Sequence, residues 1–152
     1  MTMLAALLVR SKTSFSSPLA ELRKRKMAAT LVNAGAVFSC HHLEMAQALA
    51  KKSLADGTAV SDRLEMEFIL WLGQSTHVQE AIKRVGAKDY EDAWLVLFNE
   101  TEKECKKLAA ELALETVDEK KAQKTNPRAL DFWKSKNENT LFEQMALSRI
   151  TS

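Results

Sequence analysis

The chain has 152 residues, 46% hydrophobic and 28% charged, with four glycines, two prolines and two cysteines. That length suits one domain, and at this size folding buries roughly 68–70% of the unfolded surface, enough for a core without covalent staples. The composition excludes a collagen, a disordered linker and a disulfide scaffold, and Cys40 and Cys105 fit a reducing compartment.

The apolar stretch Met1–Val9 has no basic residue before it and no small-residue cleavage site after it, which makes a poor signal peptide. No uninterrupted apolar run reaches the ~18 residues of a membrane span. A soluble, cytoplasmic protein with no membrane partner is expected. The net charge of +2 hides an asymmetry: residues 1–28 carry +5 and residues 120–152 carry +4, against −7 for residues 29–119. Folded onto one face, the two ends would make a surface able to hold phosphates; otherwise they are solvated faces.

Leu4–Val9 predicts a buried strand. Ser17-Pro18 reads as an N-cap followed by proline at the first helical position, opening a helix with Leu19, Leu22 and Met27 inward and Arg23-Lys24-Arg25-Lys26 outward. Leu31–Phe38 predicts a second strand, with Gly35 as a bulge or close approach. A helix over Cys40–Asp56 stops at Gly57. The next, Asp62–Leu72, opens with Asp62 and Glu65 as a capping box and is apolar nearly all round. Thr76 and Gln79 form the box of a third, Thr76–Val85, which closes at Gly86.

Trp94–Phe98 is the clearest strand. Asn99 caps a helix through Glu111, Leu114–Val117 suggests a fourth strand, and Asp118–Thr125 reads as a polar connection. Asn126-Pro127 opens a short helix, and Thr140 with Glu143 caps the terminal one, within 138–150. Together these predict a single α/β domain over 1–152: a small mixed, largely antiparallel sheet of about four strands covered by six or seven helices.

Catalytic motifs are missing from this pattern. There is no glycine-rich phosphate loop, no nucleophile elbow, no HExxH and no paired CxxC. Cys40-His41-His42 is the one cluster of soft ligands, but adjacent helical histidines point about 100° apart, and two at the start of a helix read as polar surface or cap residues. Glu65 and Glu67 face different ways on a helix and make no acid/base pair. Cys105 lies inward as a small hydrophobe.

Three features could bind something. Helix 62–72 is either core or a partner surface. The loop Gly73-Gln74-Ser75-Thr76 either presents free N–H groups to an anion or is simply capped. Phe132, Trp133, Lys134, Lys136 and Arg149 combine aromatic rings with cations, which suits single-stranded nucleic acid and equally suits an amphipathic segment docked on its own core.

Met66-Glu67-Phe68-Ile69-Leu70, then the run Gly73–Lys83, then Val85-Gly86-Ala87-Lys88-Asp89, followed by the helix Leu141–Ile150, resemble the small kinase-binding subunit of the KEOPS complex, the PRPK-binding protein (TPRKB) family. The compact length resembles its archaeal members most. The resemblance implies a non-catalytic subunit without cofactor or metal. It would bind the atypical kinase/ATPase subunit, lie indirectly linked to the threonylcarbamoyl transferase, and help recruit tRNA by its 3′ CCA end for threonylcarbamoylation of adenosine 37. Its kinase contact is expected at Phe68, Trp71 and Leu72, with Leu64 and Met45. Its tRNA contact is expected at Gln74, Ser75, Lys83, Lys134, Lys136 and Arg149. The alternatives are a small metal-dependent enzyme using His41, His42 and His77, or a general RNA-binding module.

Overall fold

The computed structural model describes residues 4–89, 91–117 and 125–151. Within them lie seven α-helices and one four-stranded sheet, a mixed α/β fold. The chain forms two compact units, Met1–Ala34 with Ala87–Lys124, and Gly35–Gly86 with Thr125–Ser152.

The first unit holds the sheet. Strands β1 (Leu4–Arg10), β2 (Ala29–Asn33), β3 (Ala93–Phe98) and β4 (Glu115–Thr116) run in the order β2-β3-β1-β4, every pairing antiparallel. The register sets Leu95 between Leu7 and Leu31. Because side chains alternate along a strand, Ala5, Leu7, Val9, Leu31, Leu95 and Leu97 share one face. That face packs on Leu22 of α1 (Ser16–Arg25) and on Cys105, Leu108 and Ala109 of α5 (Glu102–Glu111). The alternate residues Leu8, Val32, Trp94, Val96 and Phe98 are buried too, which is why β1 and β3 read as unbroken apolar runs.

Several boundaries differ from expectation. β2 ends at Asn33 instead of reaching Phe38, and Ala34–Ala36 turns as a 3-10 helix rather than bulging at Gly35. Ala-Gly-Ala offers no branched side chain to hold an extended chain, and Ala34 N donates to Asp92 O at 3.0 Å. α1 begins at Ser16 with Phe15 as N-cap, so Pro18 is third in the helix rather than first. The Phe15 ring is core, and its N–H donates to Asp89 Oδ1 at 3.0 Å. Thr101, not Asn99, caps α5 by accepting from Glu104 N; Asn99 sits in the left-handed region at φ 62°. The expected connection Asp118–Thr125 falls almost wholly outside the described residues.

The second unit is helical: α2 (Cys40–Asp56), α3 (Leu64–Leu72), α4 (Val78–Val85), α6 (Pro127–Phe132) and α7 (Glu138–Thr151). Ser39 caps α2 by accepting from His42 N, and Gly57 ends it at φ 76°. Asn126 caps α6 through Arg128 N. The other boxes do not form. α3 starts at Leu64 with Arg63 as N-cap, α4 at Val78 with His77, and neither side chain makes a capping hydrogen bond. Asn137, rather than Thr140, accepts an N–H at the start of α7, from Thr140 at 2.9 Å. α3 packs on α2, α4 and α7 through a buried set that includes Leu43, Ala50, Phe68, Leu72, Ala81 and Leu141. Among the described residues no helix is long and apolar enough to cross a membrane.

Candidate functional site

The all-round apolar helix α3 is interior. Phe68 and Leu72 are 0% exposed and Trp71 8%, so these side chains form the core rather than the expected kinase surface. Burying each stabilises the fold by roughly 1.5–3 kcal/mol, a gain lost if it turned outward. Leu64 and Met45 are half-buried and keep a solvent face. Among the described residues Val60, Ile82, Phe132 and Leu147 are the most exposed large apolar ones, and all four belong to this unit.

Within that interior sits a carboxylate. Glu67 is buried; its Oε1 accepts from Val60 N and Ser61 N, each at 3.0 Å, and its Oε2 from the Ser53 hydroxyl at 2.5 Å and Trp71 Nε1 at 3.1 Å. Arg149 Nη1 stands 2.7 Å from the same Oε2, and the guanidinium lies 4.1 Å over the Trp71 ring. Burial alone would raise the Glu67 pKa, but the Arg149 cation and the Ser53 and Ser61 donors outweigh it and hold the carboxyl below its usual range. The Val60 and Ser61 N–H groups, which precede the helix, thus find their acceptor in Glu67, while Asp62 does not cap it as expected.

Arg149 is therefore withdrawn from the expected tRNA set. Its side chain is 14% exposed, and a phosphate would have to displace Glu67 to reach it. None of its three guanidinium nitrogens has an aligned hydrogen-bond acceptor, so charge and stacking on the indole hold it in place.

The mouth of α4 is likewise occupied by protein groups. Ser75 is buried; its hydroxyl accepts from His77 N at 3.0 Å and donates to His77 O at 3.3 Å. Arg84 Nη1 donates to the carbonyls of Gly73 (3.0 Å) and Gln74 (3.1 Å), and Arg84 pairs with Glu80 in the first turn. That carboxylate already complements the positive helix end. Gln74 is half-buried, in the left-handed region at φ 52°. Ser75 thus offers no free hydroxyl to an incoming anion.

Lys83, Lys134 and Lys136 are exposed, as expected of phosphate contacts. Beside the latter pair, Trp133 and Phe132 meet edge to face at 4.8 Å. The Trp133 indole is docked, donating from Nε1 to Ala36 O at 2.8 Å, while Phe132 stays 41% exposed. The aromatic-plus-cation segment thus divides, one ring holding the fold and one left at the surface. At the other basic end, three cations are committed within the first unit: Arg10 to Asp92 (2.9 Å), Lys12 to Glu115 (3.1 Å) and Arg25 to Glu111 (2.6 Å).

The three histidines do not converge. His41 is exposed beside Glu44, His77 is the exposed N-cap of α4, and His42, expected as a polar surface or cap residue, is completely buried. His42 Nδ1 accepts from Phe38 N at 3.1 Å, its Nε2 has no partner, and burial pushes its pKa down to about 4. Among the described residues no group of three His, Cys, Asp or Glu side chains is placed to hold a metal ion.

The grouping of Glu67 with Ser53 and Arg149 was invisible in the sequence. The one signal was an acid inside the apolar run Leu64–Leu72, four residues before a tryptophan, where a buried charge requires a partner.

What the geometry defines is a small mixed α/β protein whose most exposed large apolar side chains, among the described residues, lie on the helical unit, with exposed cations on both units. Residues 9–150 match the family model described as kinase binding protein CGI-121. The chain belongs to this family of kinase-binding proteins, the one its motifs resemble. A search of curated proteins found no match.

Proposed function

We propose that this chain is a non-catalytic subunit of a KEOPS-type complex in the cytoplasm. It binds the atypical kinase/ATPase subunit, reaches the threonylcarbamoyl transferase only through that partner, and helps recruit tRNA by its 3′ CCA end for threonylcarbamoylation of adenosine 37. The observation that carries this reading is the family match across residues 9–150. It is supported by apolar side chains left at the surface of the helical unit, Leu64, Met45, Ile82 and Leu147, from which a kinase contact can be drawn. Exposed Phe132, with Lys134 and Lys136 following, suits a stacked base and neighbouring phosphates.

The test is co-purification of the kinase-like subunit with this chain, followed by binding of tRNA with and without its 3′ CCA at several salt concentrations. Retention of the kinase, and a clear preference for intact tRNA that persists as salt rises, is the expected result. Equal binding of both tRNAs would leave only non-specific attraction, and failure to retain a kinase would remove the scaffold role.

A further inference from the structure

The buried pair of Glu67 and Arg149 is asymmetric. Glu67 receives four neutral donors, from Val60 N, Ser61 N, the Ser53 hydroxyl and Trp71 Nε1, all supplied by α2, α3 and the loop joining them. A carboxylate so supplied stays ionised on its own. Arg149 has no such support: its guanidinium faces the Glu67 carboxylate at 2.7 Å and the Trp71 ring at 4.1 Å, with no aligned hydrogen bond. Taken from these two groups while still buried, it would be an unpaired charge.

We propose that the Glu67 carboxylate and the Trp71 face form a guanidinium-binding socket, filled in cis by Arg149, from which the last turn of α7 withdraws and returns as a plug. The socket persists when the plug is out, and an external guanidinium takes its place. Two features set the extent of the motion. Met145 and Leu141, one and two turns before Arg149 on the same stripe, are 0% exposed and hold the rest of α7, whereas Leu147 in the final turns is 50% exposed. The ligand class follows from shape: a planar cation can stack on indole and meet a carboxylate edge-on, which an ammonium cannot do equally well. None of this depends on the proposed function.

The experiment is amide hydrogen exchange on the full chain carrying Arg149→Ala, with and without low-millimolar methylguanidinium, and with ethylammonium at equal ionic strength as control. In Arg149→Ala, amides 146–149 should exchange at least about tenfold faster while amides 64–72 are unchanged, the signature of local rather than global opening. Methylguanidinium should restore most of the protection and ethylammonium should not, and Arg149→Lys should remain fast. Acceleration spread equally over α3, no acceleration in α7, equal rescue by ethylammonium, or failure of Arg149→Ala to fold would each overturn the proposal, since each contradicts a socket that stands without its plug. Full protection in Arg149→Lys would likewise overturn it, because it would remove the guanidinium preference.

Discussion

A β-carbon on Gly73 would stand 2.9 Å from the β-carbon of Ala81 and 3.0 Å from the Ile69 carbonyl oxygen. The end of α3 and the middle of α4 approach as closely as a missing side chain allows. Gly73→Ala should therefore force the two helices apart and cost roughly 1–3 kcal/mol. Gly57 offers the contrasting case. It has open space around it but a φ of 76°, so Gly57→Ala should cost about 1 kcal/mol through backbone strain alone. Denaturant midpoints of the two variants at unchanged m-value check this; a Gly73→Ala protein no less stable than Gly57→Ala would contradict the close approach.

His42 predicts a pH dependence. Folded, its pKa lies at about 4, because burial opposes the charged ring; unfolded, it returns to about 6.5. The unfolded state thus binds the proton more readily, so stability is full above pH 6.5 and falls as pH drops towards 4, by about 3 kcal/mol in total. Glu67 acts later and for the opposite chemical reason. Its lowered pKa gives stability that is present above its ordinary value and is lost only in more acid solution. Urea midpoints between pH 7 and 4 should slope for the native chain and flatten for His42→Gln, and the His42 ring should not titrate by NMR above pH 5. A flat native profile would mean that the ring is solvated.

The elements were legible because periodicity is local, whereas the helix starts turn on which of several neighbouring polar residues caps, Thr101 rather than Asn99 and Asn137 rather than Thr140. Asn126 opens its helix as read, accepting from an N–H two residues on, and Ser39, which the sequence reading did not single out, caps α2 in the same local way. At α3 the N–H groups of Val60 and Ser61 turn to Glu67 instead, an acceptor presented only once the helix has formed. The sidedness of α3 was likewise illegible. A helix apolar all round looks the same whether a neighbouring helix or another protein covers it, and here Phe68 and Leu72 are covered by their own chain. The reverse holds at the surface: Lys83, Lys134 and Lys136 are exposed as read, since a lysine without a partner is rarely interior.

The two thiols should differ in reactivity. Cys105 is 0% exposed, its Sγ points to Leu95 O at 3.5 Å, and burial pushes its pKa up to about 11. Cys40 is exposed at the start of α2, and partial burial with nearby Glu44 raises its pKa more modestly. Because the thiolate is the nucleophile, a disulfide reagent at neutral pH should modify one thiol slowly in the folded chain and both promptly in denaturant. Rapid reaction of two thiols under native conditions would mean that the α5 face of the sheet opens readily.

The buried position of Phe68 changes how the kinase contact must be tested. Phe68→Ala should cost about 3–5 kcal/mol, a large share of the roughly 5–15 kcal/mol that holds a domain of this size together. Loss of a partner in that variant would then report unfolding rather than a severed interface, and circular dichroism at assay temperature should already show it. Lys134→Gln and Lys136→Gln make the cleaner pair, since both side chains are exposed and surface changes of this kind usually move stability by less than about 0.5 kcal/mol. If each lysine neutralises one phosphate of a single-stranded end, each variant should flatten the slope of log K against log salt by about 0.7 while leaving the melting curve in place. An unchanged slope in both variants, with tRNA still bound, would move the nucleic-acid contact away from the segment that follows α6.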